Sequence, residues 1–144
     1  EQRRGLGAAL LASGDADAAA REAEAAASSM DELLRRRADD IHASRIASTA
    51  HALLARAWAA RGDGTRARDE WQRAHDAIAR PAAASRDYRF LDPFAVSLLH
   101  LGRTAEAAPV IATLTGMGYR EPLFARTVVS RGGPPPARAR ASGG

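Results

Sequence analysis

The four histidines of this 144-residue chain are the side chains best suited to acid–base or metal chemistry. The chain has no cysteine that could serve instead. The histidines are His42, His51, His75 and His100. Proton transfer or metal binding needs such side chains to converge with carboxylates or with each other. His42 and His51 lie nine residues apart in one predicted helix, which places them on opposite sides. The histidine spacing therefore predicts no catalytic or metal site.

Sequence motifs that carry chemistry are also absent. The chain has no HExxH zinc motif, no glycine-rich phosphate loop and no Gly-x-Ser-x-Gly nucleophile elbow. The lack of cysteine excludes disulfides, thiol catalysis and zinc–thiolate sites. We predict no catalytic residue, cofactor or metal site and no enzymatic activity in these residues. The chain begins at Glu1 without a methionine, so we expect a fragment of a longer protein, with any catalytic domain upstream.

Charge is distributed unevenly along the chain, and all 21 basic residues are arginine. Residues 1–125 hold 17 arginines and all 17 acidic residues, so this part is neutral (17 minus 17). A neutral body is a poor electrostatic footprint for duplex DNA, and we predict no specific nucleic-acid binding. The alternative is binding of nucleic acid or an anionic surface through the basic tail, residues 131–144. The net charge of +4 comes from Arg126, Arg131, Arg138 and Arg140.

A charged cluster joins Arg35, Arg36 and Arg37 to Asp39 and Asp40. It is either an anion site or a solvated helix end, where cations lie at the negative helix terminus and an aspartate caps the next helix. Charge blocks this short are typically solvated, which favours the helix end.

Helices must position these residues, since alanine is the commonest residue, 36 of 144, and aromatic residues make up only 5%. The clearest element is Leu54–Ala74, which has Trp58 and Trp71 on either side of a Gly62-Asp63 break. This pattern predicts a helix, a tight turn and a second helix folded back on the first. We expect the two tryptophans to face each other in the core.

The same frame occurs three times, which indicates an internal repeat. In each copy a turn glycine is followed after five residues by an alanine, then by apolar or small residues at steps of four and three. Such steps share one helix face, and one hairpin cannot bury that face alone, so the copies must stack. The matched positions are Leu6, Gly7, Leu10, Gly14, Ala19, Ala23 and Ala26; Leu54, Ala55, Trp58, Gly62, Ala67, Trp71 and Ala74; and Phe94, Ala95, Leu98, Gly102, Ala107, Ile111 and Leu114.

This frame resembles the tetratricopeptide repeat (TPR), which has a similar order of apolar, small, aromatic and turn positions over about 34 residues. The middle copy matches best. Ala23 replaces the second aromatic in the first copy, Arg103 replaces the usual acidic residue in the third, and the copies lie 48 and 40 residues apart. The resemblance covers about residues 2–120. It implies an all-α fold, a TPR-like right-handed superhelix of about three helical hairpins (repeats of about 2–38, 40–80 and 90–118 in a domain 1–130). Residues 131–144 form a Pro/Gly/Arg tail without an apolar residue to anchor a core, so we expect this tail to be disordered.

The resemblance also implies a function, because the first helix of each TPR hairpin lines a concave groove that binds a peptide or a partner helix. We therefore expect a scaffold for protein–protein interaction; the alternative is a purely structural cap of a longer solenoid. The family's chaperone-binding members hold a C-terminal carboxylate with a clamp of lysines, asparagines and arginine. This chain has no lysine or asparagine, so we expect neither that clamp nor that partner. The groove residues implied by the frame are Arg4, Ala8, Leu11, Ala52, Arg56, Ala59, Asp92, Val96, Leu99 and His100.

Residues 88–124 also look like the closing segment of TPR regions that follow the kinase domain in some bacterial serine/threonine protein kinases. The landmarks are the sequences LDP, LGR and GYR-P. The likeness implies a part that recruits substrates or mediates assembly in a larger bacterial signalling protein. No stretch is long and apolar enough to span a membrane, and a cytoplasmic location is favoured.

Local signals predict the helix boundaries. Pro81 is expected to end one helix near Ala79, and Asp92-Pro93 to start the next, with Thr104 as a later cap. The predicted helices cover about residues 2–13, 16–37, 40–61, 65–79, 94–101 and 105–114, with a closing segment at 119–129. The second either breaks at Ser28-Ser29 or continues, and the apolar spacing favours continuation. The predicted buried stripe of the third is Ile41, Ile46, Ala50, Leu53, Leu54, Ala57 and Trp58.

Overall fold

The computed structural model describes residues 16–133, and this part contains six α-helices and no β-strand. The all-α prediction is confirmed there. Predictions for residues 1–15, including the first helix, and for residues 134–144 lie outside the described part. No helix within it is long and apolar enough to cross a membrane. The helices are α1 (Ala16–Arg36), α2 (Ile41–Ala60), α3 (Gly64–Ala83), α4 (Tyr88–His100), α5 (Thr104–Gly116) and α6 (Pro122–Ser130).

Aspartate side chains start three of these helices. Asp40, Asp63 and Asp87 precede α2, α3 and α4, and each accepts a hydrogen bond of 2.9–3.0 Å from a backbone N–H of the first turn. Such caps satisfy N–H groups that have no partner inside a helix. Asp40 belongs to the charged cluster at residues 35–40, which is therefore a helix end, as the sequence favoured.

Glycines shape the turns inside the predicted hairpins. Gly62 and Gly102 have φ angles of 80° and 75°, a left-handed conformation that glycine adopts without strain. Each follows the C-cap residue of its helix, Arg61 after α2 and Leu101 after α4, and reverses the chain into α3 and α5. The turn positions in the second and third copies of the frame are therefore correct.

The predicted start of α4 at Asp92-Pro93 is wrong. α4 begins at Tyr88, and both predicted start residues lie inside it. Asp87 is the cap because its carboxylate accepts from the Arg89 backbone N–H at 2.9 Å and from the Arg89 guanidinium at 2.7 Å. Thr104, predicted to cap α5, is instead its first residue.

The predicted end of α3 near Ala79 is also wrong, since the helix continues through Pro81 to Ala83. Proline removes one helical hydrogen bond and crowds the preceding turn. A helix held by tertiary packing tolerates that loss, and buried Ile78 and Ala82 provide the packing here.

The helices pack mainly against their neighbours in the chain. α2 lies between α1 and α3, and α4 lies between α3 and α5. Two further contacts join α2 to α4 and α4 to α6, so these three helices lie side by side. Neighbour-to-neighbour packing of this kind is typical of solenoid proteins.

Equivalent positions of the repeat frame share similar burial. The alanine after each turn glycine, Ala67 or Ala107, is buried, and so is its counterpart Ala19 on α1. Ala55 and Ala95, one residue after the first apolar position, are both 0% exposed. Only side chains this small allow the helix backbones to approach so closely. The sequence repeat is therefore a repeat of packing.

The buried face of α2 differs from the prediction. Ile41 and Ile46 are 49% and 38% exposed, whereas Ser44, Ser48 and His51 are buried. Ser48 donates a hydrogen bond to the Ala74 carbonyl of α3 at 2.8 Å, and His51 contacts carboxylates on α1 and α3. Isoleucine side chains cannot make such hydrogen bonds. The stripe residues that are buried as predicted are Ala50, Leu54 and Ala57.

The two tryptophans lie in different environments. Trp71 is buried, but Trp58 is only half-buried, and the guanidinium groups of Arg61 and Arg66 lie 5.0 and 4.5 Å from its ring centroid. The prediction of two core tryptophans facing each other is wrong for Trp58. The arginine stems cover the indole instead of a second helix.

The closing segment predicted at residues 119–129 is α6 and the turn before it. Phe124 and Val128 are buried, and the Gly133 N–H donates to the Val128 carbonyl at 2.9 Å. Gly133 also lies so close to α4 that a Cβ there would meet Leu99 at 3.3 Å. Residues 131–133, which the sequence assigned to the disordered tail, therefore finish the fold.

Candidate functional site

A concavity open to solvent lies between α2, α4 and the connection from α5 to α6, and its volume is about 380 Å³. We call it the α2–α4 groove. The α2 wall carries Arg45, Thr49, Ala52 and Arg56. These residues follow one another at steps of four, three and four, so they share one face of the helix. Small side chains between two arginines leave the middle of this wall open.

The structure brings four of the predicted groove residues together. Ala52, Arg56, Asp92 and Val96 line the groove. The frame predicts them because it identifies the helix face of α2 and α4 that is turned away from α3 and α5. Arg4, Ala8 and Leu11 lie outside the described residues.

The other three predicted groove residues do not line it. Leu99 is buried in the core, 2% exposed, because α6 and Gly133 cover that part of α4. Ala59 is exposed near the end of α2, beyond the groove. His100 is half-buried against Trp71. The sequence frame has no position for α6, so it could not show that this helix would cover part of α4.

Arg56 is the most unusual side chain in the groove. It is half-buried, and its guanidinium carbon lies 5.1 Å from the centroid of the Trp71 ring. Burial lowers the pKa of Arg56, which the charge of Asp92 partly offsets. No residue of the described part makes a hydrogen bond or ion pair with this guanidinium. Arginine remains charged in proteins, so its five N–H donors are available to a ligand.

Asp92 and Tyr119 form the opposite wall. The Tyr119 hydroxyl donates a hydrogen bond to the Asp92 carboxylate. Burial raises the pKa of Asp92, although the Tyr119 hydrogen bond opposes this. Burial and the same carboxylate raise the pKa of Tyr119, so its hydroxyl remains a donor. This contact joins the LDP and GYR landmarks of the sequence and fixes α4 against the α5–α6 connection.

The rim of the groove carries exposed apolar side chains beside the charged Arg89 and Glu121. Tyr88 and Leu123 line it and are 50% and 48% exposed. The Tyr88 ring stacks on Tyr119 with 5.3 Å between centroids, and Tyr119 meets Phe124 edge-on at 5.4 Å. Exposed aromatic and aliphatic side chains beside a concave surface are typical of binding sites.

His100 supports the groove from beneath. Its ring stacks on Trp71 with 3.8 Å between centroids and 8° between planes. Burial and the charges of Arg131 and Arg56 lower the pKa of His100 to about 3. The imidazole is therefore neutral at physiological pH and serves as a flat packing surface. It holds Trp71, which in turn lies beneath Arg56.

His51 lies in a cluster of ionisable side chains that the histidine spacing in the sequence does not predict. Its Nδ1 lies 2.6 Å from Glu70 Oε2, and its Nε2 lies 3.0 Å from Asp31 Oδ2. A neutral imidazole has only one N–H, so two carboxylate partners require the charged ring. Burial works against that charge, but the hydrogen bonds that the ring donates to Glu70 and Asp31 prevail and raise the pKa of His51.

This cluster connects three helices, because Asp31 is on α1, His51 on α2 and Glu70 on α3. Arg73 also binds Glu70, at 2.8 Å. The partners of His51 lie 20 and 19 residues away in other helices, so no local spacing could reveal them. Between residues 16 and 133 no group of three or more histidine and carboxylate side chains is arranged to hold a metal ion.

Comparison with known proteins found no matching family model, and no curated protein or solved structure matches the chain. The TPR assignment therefore stays a prediction from the repeat frame. The groove, the His51 cluster and the repeated packing are the observations on which a function is argued.

Proposed function

We propose that this chain is a protein–protein interaction module whose α2–α4 groove binds a peptide or a helix of a partner protein. The groove carries the proposal: a concave surface with exposed apolar side chains at its rim and a half-buried arginine whose donors have no partner in the described part. Sites of this kind bury a ligand against apolar walls and orient it with a few polar groups.

We also propose that the hairpins form a TPR-like right-handed superhelix. Three features support this: the turn glycines at equivalent positions, the buried alanines that recur with the frame, and the neighbour-to-neighbour packing of α2, α4 and α6. In such arrays the first helix of each hairpin lines the concave side, and α2 and α4 are those helices in the second and third copies.

The setting that we propose is a larger bacterial signalling protein, such as a serine/threonine kinase. It rests on the likeness of residues 88–124 to the closing segment of kinase TPR regions. The Tyr119–Asp92 hydrogen bond gives two landmarks of that likeness a shared structural role. In that setting the groove recruits substrates or assembles a complex and does no chemistry itself.

A blocking substitution in the groove tests the proposed function. The 144-residue chain is used to select binders from a displayed library of random 12-residue peptides, and affinities are then measured by fluorescence polarisation. Ala52→Trp places an indole in the open middle of the α2 wall. The matched control is Ala112→Trp, which adds the same side chain at an exposed position on α5.

We expect Ala52→Trp to weaken the selected peptides at least tenfold and Ala112→Trp to change them less than twofold. Circular dichroism melts confirm that both variants fold. Selection that yields no binder, or binders insensitive to Ala52→Trp, would refute the proposal. That result would favour the structural cap of a solenoid, for which groove substitutions are silent.

A further inference from the structure

We propose that the segment bound in the α2–α4 groove is acidic, with two carboxylates that pair with Arg45 and Arg56. This inference rests on the proposed function and specifies the chemistry of the partner. It follows from which groove arginines are free, how far apart they lie and what charge the opposite wall carries.

Two of the three groove arginines have unused donors. Arg89 is held by the Asp87 carboxylate through three contacts of 2.7–3.1 Å. The guanidinium groups of Arg45 and Arg56 make no hydrogen bond or ion pair with any residue of the described part. The planar guanidinium fork matches a carboxylate with two parallel hydrogen bonds. Both guanidinium groups can therefore donate to a ligand anion, although the charges of Asp87 and Asp92 act on them from beyond ion-pair distance.

Arg45 and Arg56 lie on one face of α2, eleven residues apart. At about 1.5 Å per residue this separates them by about 16 Å along the helix. An extended peptide advances about 3.3 Å per residue, so its two carboxylates must lie about five residues apart. Thr49 and Ala52 lie between the arginines and leave room for the intervening backbone.

The opposite wall disfavours a continuous polyanion. Asp92 and Glu121 line the groove opposite α2, and the Glu121 carboxylate is committed to the Leu123 and Phe124 backbone N–H groups. A phosphate backbone carries a charge at every step and would meet this wall. Two separate carboxylates can face α2 alone, while an apolar residue between them contacts the rim at Tyr88 and Leu123.

Arg56 should contribute most to this recognition. Its guanidinium is half-buried on the Trp71 face, so an ion pair there is less screened by water than one on the open surface. Arg45 is also half-buried, at the other end of the wall. The charges of Asp87 and Asp92 act on Arg45 and Arg56, respectively, without an ion pair, and a ligand carboxylate would supply the direct contact.

The test uses two arrays of random 12-residue peptides, one with Asp and Glu but no Lys or Arg, the other with the reverse. Binders are measured at 0.15 M salt against Arg45→Gln, Arg56→Gln and the matched control Arg126→Gln, an exposed arginine on α6 outside the groove. The best peptide is also made with each acidic residue replaced by glutamine. Thermal melts check that every variant is folded.

We expect binders from the acidic array only, and at least a tenfold loss of affinity with Arg56→Gln or Arg45→Gln. Arg126→Gln should stay within twofold. Replacing the peptide carboxylate that pairs with Arg56 should reduce the affinity of the Arg56→Gln variant only slightly, because both changes remove the same ion pair. Arg56→Glu should in turn bind more tightly to a peptide in which lysine replaces the acidic residue that pairs with Arg56.

Three results would overturn the inference. Groove binders that lack carboxylates but are blocked by Ala52→Trp would end the acidic assignment and leave the proposed function standing. A single-stranded RNA 12-mer, or vesicles containing phosphatidylserine, bound more tightly than any peptide and lost in Arg56→Gln would replace the partner by a polyanion. The absence of any groove binder would end both proposals.

Discussion

Replacing His51 by leucine tests whether one imidazolium ties α1, α2 and α3 together. The substitution puts an apolar side chain of similar size in place of the imidazole and removes both hydrogen bonds. It leaves Glu70, whose side chain is 10% exposed, with Arg73 as its remaining partner, and returns Asp31, 39% exposed, to water. Loss of one partner of a buried ion pair costs about 3–5 kcal/mol. Because Arg73 or water still stabilises each carboxylate, we expect the free energy of unfolding to fall by about 3 kcal/mol, the lower end of that range.

The pH dependence gives a sharper measure of the same cluster. The pKa of His51 is raised in the folded protein, above its ordinary value of 6.5. Its stabilising contribution is therefore complete below pH 6.5 and is lost as the pH rises through the folded pKa. In that window the folded state holds one more proton than the unfolded state. Stability should fall with a slope of up to about 1.4 kcal/mol per pH unit.

The assay is urea unfolding of the 144-residue chain at pH 5.5, 6.5, 7.5 and 8.5, followed by far-ultraviolet circular dichroism. His51→Leu should unfold about 10 °C lower in a parallel thermal melt at pH 6.5. Its stability should also lack the decline above pH 6.5. His42→Leu is the matched control, since His42 is exposed on the same helix. A double variant with Glu70→Leu should recover part of the loss, because two apolar side chains replace the pair.

The reasoning fails if His51→Leu costs less than about 1 kcal/mol, the range of an exposed ion pair. It also fails if the variant keeps the alkaline decline of the unsubstituted chain. Either result would mean that the ring is neutral and that one of its two carboxylate contacts does not form in solution.

Two further predictions concern single side chains. The pKa of His100 in the folded protein is lowered to about 3. Its contribution to the free energy of unfolding is therefore present above pH 6.5 and is lost as the pH falls from 6.5 towards the folded pKa. His100→Gln should flatten the acid side of the stability profile in the same urea series, and an unchanged acid side contradicts the neutral stack on Trp71. Asp87→Ala should cost about 1 kcal/mol through loss of the α4 cap. Equal urea-unfolding midpoints for this variant and the unsubstituted chain would show that another residue caps α4.

The sequence predicts the repeat well because its signals are local. Gly62 and Gly102 mark the turns, and Ala67 and Ala107 mark the close seam five residues later. The frame also identifies the face of α2 that carries Arg56. Each of these predictions depends on residues within one hairpin, where helical spacing decides which side chains share a face.

The errors arise where another helix decides the outcome. Asp87 and Asp92 are both plausible caps, and the extra contacts of Arg89 select the first. Leu99 belongs to the groove by its frame position, but α6 and Gly133 bury it. The partners of His51 come from two other helices. Spacing along one helix carries no information about such contacts.

The neighbour-to-neighbour packing has a consequence for how the chain folds. No helix of the described part contacts another that is more than two places away, so contacting residues are close in sequence. Chains with such low contact order fold quickly, since short loops cost little entropy to close. We expect a nucleus at the α2–α3 hairpin, with its tight turn and buried His51–Glu70 pair, and growth outward from it in both directions. Because the contacts are between near neighbours, we expect that a further hairpin can be added at either end without changes to α2 and α3.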